Sequence, residues 1–95
     1  MVNIPKQYVE PLIQLIEWHI SAYMSDHIFN IQLNRILEKL YKERQPNNIV
    51  ELEHNDLFFI DECVSNATNN FNEHKVSKEL VWEIYDWVRA ERRTH

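Results

Sequence analysis

Glycine is absent from this 95-residue chain, and that absence restricts the possible folds more than any other feature of the sequence. Without glycine, no glycine-rich loop can cradle a phosphate, and the usual strand-turn-helix nucleotide site is excluded. Tight hairpins that need positive φ at two positions would have to use asparagine or aspartate alone. The sequence therefore favours helices joined by connections that contain Asn, Pro and Ser.

Apolar residues recur at helical spacing in four segments, which predicts four amphipathic helices. The segments are residues 5–24, 25–44, 50 or 55 to 69, and 77–93. Four amphipathic helices with short connections pack as a bundle around one core. We therefore expect an all-α fold, a compact antiparallel four-helix bundle, that forms a single helical domain over residues 1–95.

Helix ends are indicated by capping residues and by proline. Residues whose side chains can cap the last three helices are Ser25 or Asp26, Asn55 and Ser77. The clearest break between helices is residues 45–48, where Pro46 biases the preceding residue away from helical geometry. Pro11 either starts the regular part of the first helix or marks a bend in it. The sequence leaves the continuity of that helix open.

The compartment is indicated by the single cysteine and by the absence of long apolar segments. Cys63 has no partner for an internal disulfide, which fits a reducing compartment, and its apolar neighbourhood suggests a small buried hydrophobic residue. No apolar run approaches the length that a bilayer requires, and the first residues do not resemble a secretory signal. We expect a cytoplasmic protein without a membrane partner.

Acidic residues are concentrated in the second half of the chain. Residues 51–86 carry nine acidic and two basic residues, a net charge of −7, whereas residues 1–50 are balanced. This segment disfavours direct binding of nucleic acid and favours a basic protein surface as partner. The candidate partner-binding residues are Glu51, Glu53, Asp56, Asp61, Glu62, Glu79, Glu83 and Asp86. The alternative is an acidic face that only interacts with solvent.

Residues that could carry catalysis or bind a metal show no suitable spacing. None of the five histidines stands at a known ligand spacing from another or from Cys63. Asp61 and Glu62 are adjacent, and adjacent helical residues point in different directions, so they make a poor acid/base pair. We expect no catalytic residue, metal, other cofactor or small-molecule substrate, and we do not expect an enzyme.

Two further surfaces compete with the acidic residues as the binding surface. Trp82 lies off the apolar stripe of the last helix, so either Trp82 or Trp18 could anchor a partner if exposed. The alternative is that these large side chains cover the edge of the core. The basic residues 89–93 leave a small DNA-associated regulator as a third possibility.

The order of short motifs resembles that of the colicin D-type immunity proteins, which inhibit bacteriocins that cut transfer RNA. The motifs are Leu12-Ile13-Gln14-Leu15-Ile16, Ile20-Ser21, Phe29, Asp56-Leu57-Phe58-Phe59-Ile60-Asp61 and Ser77-Lys78-Glu79-Leu80. The resemblance implies a stoichiometric inhibitor that binds the basic active-site cleft of a ribonuclease toxin. On the matching positions, the acids that would replace substrate phosphates are Asp56, Asp61 and Glu62. The alternative is a phage or bacterial regulatory or adaptor protein that binds through exposed aromatic residues.

Overall fold

The computed structural model describes residues 2–24, 26–42 and 50–94. The elements are β1 (Val2–Ile4), α1 (Lys6–Ala22), α2 (His27–Lys42), β2 (Val50–Leu52), α3 (Asp56–Ala67) and α4 (Lys78–Arg93). The prediction of four helices is confirmed. The expectation of a purely helical fold is wrong in one respect, because β1 and β2 pair as a small sheet. The antiparallel bundle arrangement of the helices stays a prediction.

The small sheet joins the start of the chain to its middle. β1 and β2 run antiparallel, with Val2 opposite Leu52 and Asn3 opposite Glu51. Val2, Ile4 and Leu52 are buried, whereas Asn3 and Glu51 are exposed, as expected when side chains alternate along a strand. Two helices separate the strands in sequence, so the sheet needs no tight glycine turn. Residues 2–4 precede the first predicted helix, and residues 50–52 lie in the uncertain start of the third predicted helix.

Helix α1 continues through Pro11 without interruption. A proline inside a helix removes one backbone hydrogen bond and usually kinks or breaks the helix. Here Tyr8, Val9, Leu12 and Ile13 flank the proline and are all buried. Packing of both turns against the core offsets the lost bond, and the question left open by the sequence is answered in favour of continuity.

Side-chain caps confirm two of the predicted helix starts. The Phe29 amide donates to Asp26 Oδ1 at 3.1 Å, and the Leu80 amide donates to Ser77 Oγ at 3.4 Å. Asn55 occupies the predicted N-cap position of α3, but its side chain makes no capping bond. Ser25, the predicted break at residues 45–48 and the predicted helix end at Arg44 lie outside the described residues.

The core lies between the helices and the inner face of the sheet. The largest side chains that are fully buried are Leu12, Leu15, Ile16, Leu33, Ile36, Leu40, Leu52, Leu57, Ile60, Ile84, Val64 and Val81. Cys63 is fully buried among them, which confirms its predicted place in the core. Trp18 and Trp87 are partly buried and pack against the core. Of the helices in the described residues, none combines the length and apolarity needed to cross a bilayer.

Candidate functional site

Asp61 is the predicted binding residue that the structure places farthest from solvent. Asp61 is 4% exposed and lies on α3, on the side of that helix that contacts α4. Its carboxylate accepts from Arg89 Nε at 3.3 Å, from Arg92 Nη1, and from Ser65 Oγ at 2.9 Å. Because these contacts occupy both oxygens, Asp61 joins the two helices in this structure instead of presenting a charge to a partner.

Asp56 is also engaged within the chain. Its Oδ2 accepts from Lys39 Nζ at 2.9 Å and from the Glu53 amide at 3.1 Å. The lysine contact links the start of α3 to α2, and the amide contact closes the turn before α3. Two of the three acids that the resemblance assigns to helix three, Asp56 and Asp61, thus have a cation beside them.

The other six predicted residues are exposed. Glu51 and Glu53 lie in and just after β2, Glu62 lies on α3, and Glu79, Glu83 and Asp86 lie on α4. Burial, and then the Glu83 carboxylate, raise the pKa of Tyr8 above its ordinary value. Within residues 2–24, 26–42 and 50–94, none of these six carboxylates has an ion-pair partner.

The basic end of the chain carries less available charge than its sequence suggests. Arg89, Arg92 and Arg93 line a shallow depression of about 330 Å³ on α4. Two of them are paired with Asp61, and Arg89 also lies over the Tyr85 ring at 4.7 Å from its centroid. This pairing weakens the case for a phosphate-binding surface, which requires cations that can neutralise phosphates.

A pocket of about 570 Å³ opens where the end of α1, the start of α2 and one face of α3 meet. We call it the acidic aromatic pocket, and its lining residues are His19, Tyr23, Asp26, Phe29, Phe58, Glu62 and Asn66. Phe58, Glu62 and Asn66 follow one another at intervals of four, which places them on one face of a helix. Asp26 lines the pocket because it caps α2.

Aromatic rings form the walls of the acidic aromatic pocket. Tyr23 stacks on His19 with ring centroids 4.5 Å apart, and Phe29 lies 5.7 Å from the same imidazole. Phe29 also packs on Phe59 at 5.0 Å, and Phe59 meets Phe58 edge-on at 5.4 Å. These contacts fix the walls, while Tyr23 and Phe58 keep large exposed areas that a ligand can cover.

His19 lies at the base of this arrangement and is 4% exposed. Asn66 Nδ2 lies 3.1 Å from His19 Nε2, so the amide donates and Nε2 accepts. The proton of the neutral ring is then on Nδ1, which is buried and has no hydrogen-bond partner in the described residues. Turning the Asn66 amide by half a turn would place its oxygen, instead of its nitrogen, beside Nε2. Nε2 would then carry the ring proton and donate to that oxygen, and Nδ1 would be an acceptor.

Burial lowers the pKa of His19 below its ordinary value of 6.5, although the Glu62 and Asp26 carboxylates oppose that shift. The folded chain therefore takes up this proton at lower pH than the unfolded chain, and acid favours unfolding. We expect the free energy of unfolding to fall as pH is lowered through about 6.5 and to level off below the folded-state pKa. Urea unfolding from pH 7.5 to 5 measures the trend, and in His19→Gln this component should be missing. An unchanged pH profile in the variant would contradict the buried neutral imidazole.

Sequence reasoning found only part of this pocket. Glu62 was among the predicted binding residues, and Asp26 was recognised as a cap. The histidines were considered only as metal ligands, and His19 was not predicted to be buried. Its position could have been inferred from Leu12, Leu15 and Ile16, because His19 continues their helical spacing. Tyr23 meets Phe58 and Asn66 only through the packing of α1 on α3, which no local pattern reveals.

Exposed apolar side chains are also found outside the lining of this pocket. On helix α4, Trp82 is 46% exposed and meets Tyr85 edge-on at 5.2 Å. Near the start of α2, Met24, Ile28 and Ile31 are exposed as well. An open groove of about 350 Å³ between α1 and α2 lies beside Met24. Trp82 is thus available to a partner, whereas Trp18 mainly covers the core.

No group of His, Cys, Asp or Glu side chains in the described part of the chain has an arrangement suited to a metal ion. Comparisons with models of protein families, with curated proteins and with solved structures find no match to this chain.

Proposed function

We propose that this chain is a stoichiometric binding protein that covers a basic surface on another protein. Its most concrete form is an immunity protein that blocks the basic active-site cleft of a nuclease-type bacteriocin toxin in the cytoplasm. One observation carries the proposal: six of the eight predicted acids are exposed, and none of the six has an ion-pair partner in the described residues.

Repulsion among the exposed acids favours a surface that binds a basic partner over an acidic face that contacts only solvent. Glu79, Glu83 and Asp86 occupy neighbouring positions on α4, where like charges repel each other by a few tenths of a kcal/mol per pair. Glu62 and Asp26 similarly line one pocket. A basic partner would relieve this repulsion and would be steered toward the surface, which speeds association. The resemblance to colicin D-type immunity proteins implies a partner of this kind, a ribonuclease toxin with a basic active-site cleft.

The test is capture of partners from a lysate of the source cell on the immobilised chain, followed by calorimetry with the purified partner. We expect a basic nuclease domain that binds one-to-one, loses its nuclease activity on binding and dissociates at high salt. Glu79→Lys with Asp86→Lys should weaken the complex by about tenfold or more.

Glu38→Lys is the matched control, because Glu38 is an exposed acid on α2 outside the acidic segment. Each Lys variant should keep the helical circular dichroism of the parent chain. Affinity that responds neither to salt nor to the two α4 reversals would contradict an acidic binding surface.

The second candidate function is a regulatory or adaptor protein that binds through exposed aromatic residues. The observation that favours it is the exposure of Trp82, which sits on α4 beside Glu79 and Asp86. Burial of an apolar side chain is little affected by ionic strength, so this complex should survive high salt and weaken with Trp82→Ala. A salt-resistant partner without nuclease activity would favour this function over the inhibitor.

A further inference from the structure

We propose that the acidic aromatic pocket receives one arginine side chain of the protein partner. This inference deepens the proposed function and rests on it for the identity of the partner as a basic protein. The pocket combines two carboxylates, three aromatic rings and a buried neutral imidazole in one open volume of about 570 Å³. Each of these three components matches a different property of a guanidinium group.

The carboxylates supply the charge. Asp26 uses Oδ1 to cap α2, which leaves Oδ2 available, and Glu62 has no hydrogen-bond or ion-pair partner in the described residues. Both carboxylates line the same pocket as the buried imidazole of His19, so they belong to one site. A planar guanidinium carries five N–H donors in a fixed fork and can bond to two carboxylates at once, which an ammonium group does less well.

The aromatic rings supply surfaces on which a flat cation can stack. Tyr23 and Phe58 are 39% and 51% exposed, so both rings have uncovered area at the pocket. Arg92 of this chain lies 5.6 Å from the Phe58 ring centroid, so this ring already accepts one guanidinium. Asp61 offsets part of the charge of Arg92, which it shares with Arg89, and this reduces the repulsion of Arg92 toward a second cation.

The imidazole of His19 is the independent indication that the pocket has a ligand. A buried polar atom without a hydrogen-bond partner costs free energy, and such atoms are rare in folded proteins. His19 Nδ1 is such an atom, in a side chain that lines the pocket. With the Asn66 amide turned, Nδ1 is an acceptor in the wall of the pocket, and an entering N–H group would have to displace the atoms that cover it to form this bond. Because burial keeps the ring neutral, it does not repel a cation.

The direct test uses acetyl-arginine methylamide as the probe and chemical-shift changes in the labelled full-length chain as the readout. The matched control is acetyl-citrulline methylamide, which has nearly the same shape and no charge. We expect the arginine probe to bind with a dissociation constant of about 1–10 mM and to shift the signals of His19, Tyr23, Phe58 and Glu62. The citrulline probe should bind at least about tenfold more weakly.

Variants locate the binding. Glu62→Gln should weaken binding of the arginine probe by about tenfold, and Phe58→Ala by about two- to fivefold. Glu38→Gln, an exposed acid on α2 outside the pocket, should leave it unchanged. Both pocket residues are exposed, so the variants should fold, and thermal melts verify this. Equal binding of both probes, or shifts confined to residues outside the pocket, would overturn the proposal.

A competition experiment connects the pocket to the protein partner. Acetyl-arginine methylamide in the wash should release the captured partner, whereas the same concentration of acetyl-lysine methylamide should release less, because it matches the charge but not the planar fork. Failure to capture any basic partner, with the arginine probe still bound in the pocket, would contradict the proposed function alone. If the arginine probe does not release the captured partner and Glu62→Gln does not weaken its binding, the pocket proposal alone is overturned.

Discussion

Replacing Asp61 with lysine should unfold or nearly unfold the protein, whereas the same replacement at the adjacent Glu62 should leave its stability almost unchanged. Asp61 lies buried at the contact of α3 with α4, where its two oxygens accept bonds from two arginines and Ser65. A lysine there would place a third cation beside Arg89 and Arg92. Breaking a buried ion pair in this way costs about 3–5 kcal/mol, a large share of the stability of a small domain.

The measurement is the thermal midpoint by circular dichroism, together with urea unfolding. A loss of about 3–5 kcal/mol corresponds to a fall of about 15–30 °C for a domain of this size, while Glu62→Lys should stay within about 0.5 kcal/mol. Asp61→Asn should lower the free energy of unfolding less than Asp61→Lys does. Arg89 and Arg92 are about 40% exposed, so water can hydrate them when the Asp61 charge is removed. Equal, small effects of both lysine variants would show that Asp61 does not join the two helices.

Leu52→Ala should destabilise the protein by about 2–4 kcal/mol, although Leu52 lies in a strand of only three residues. Its side chain is fully buried and, with Val2 and Ile4 of β1, forms the inner face of the sheet that packs on the helices. Glu51→Ala is the matched control, because Glu51 is the neighbouring residue on the same strand and faces solvent. Its effect should be within about 0.5 kcal/mol.

Urea unfolding of both variants tests whether the sheet belongs to the core. Because side chains alternate between buried and exposed along β2, we expect a large loss of stability at Leu52 and almost none at Glu51. The loss at Leu52 should also fray β1, which faster hydrogen exchange of the β1 amides that bond to β2 would detect. Comparable small losses at the two positions would mean that the sheet contributes nothing to the stability of the helical core.

Helical periodicity predicted the four helices because it depends only on local spacing. The sheet was missed for a physical reason: each strand is three residues long, too short to show a period of two, and the strands pair across α1 and α2. Pro11 suggested a helix start or bend, yet packing of residues on both sides keeps α1 continuous. Tertiary contacts here outweigh a local preference.

The acidic residues show the same limit at the candidate site. Counting charges in residues 51–86 treated Asp61 and Glu62 alike, although only Glu62 is exposed. The difference could have been predicted, because Asp61 stands four residues after Leu57 and three before Val64, on the apolar stripe of α3. A charge on such a stripe needs a partner, and Arg89 and Arg92 are the nearby cations on the next helix. The pairing itself required the structure.

The pairing of β1 with β2 has a consequence for synthesis on the ribosome. The first strand emerges from the exit tunnel first, but its hydrogen-bond partner is made only when residues 50–52 have been added. At about 5–20 residues per second, β1 waits for about 2–10 s with its apolar side chains Val2 and Ile4 uncovered. During that interval, the nascent chain presents an unpaired strand to other chains and to chaperones, and the arrival of Leu52 closes the first half of the molecule into a loop.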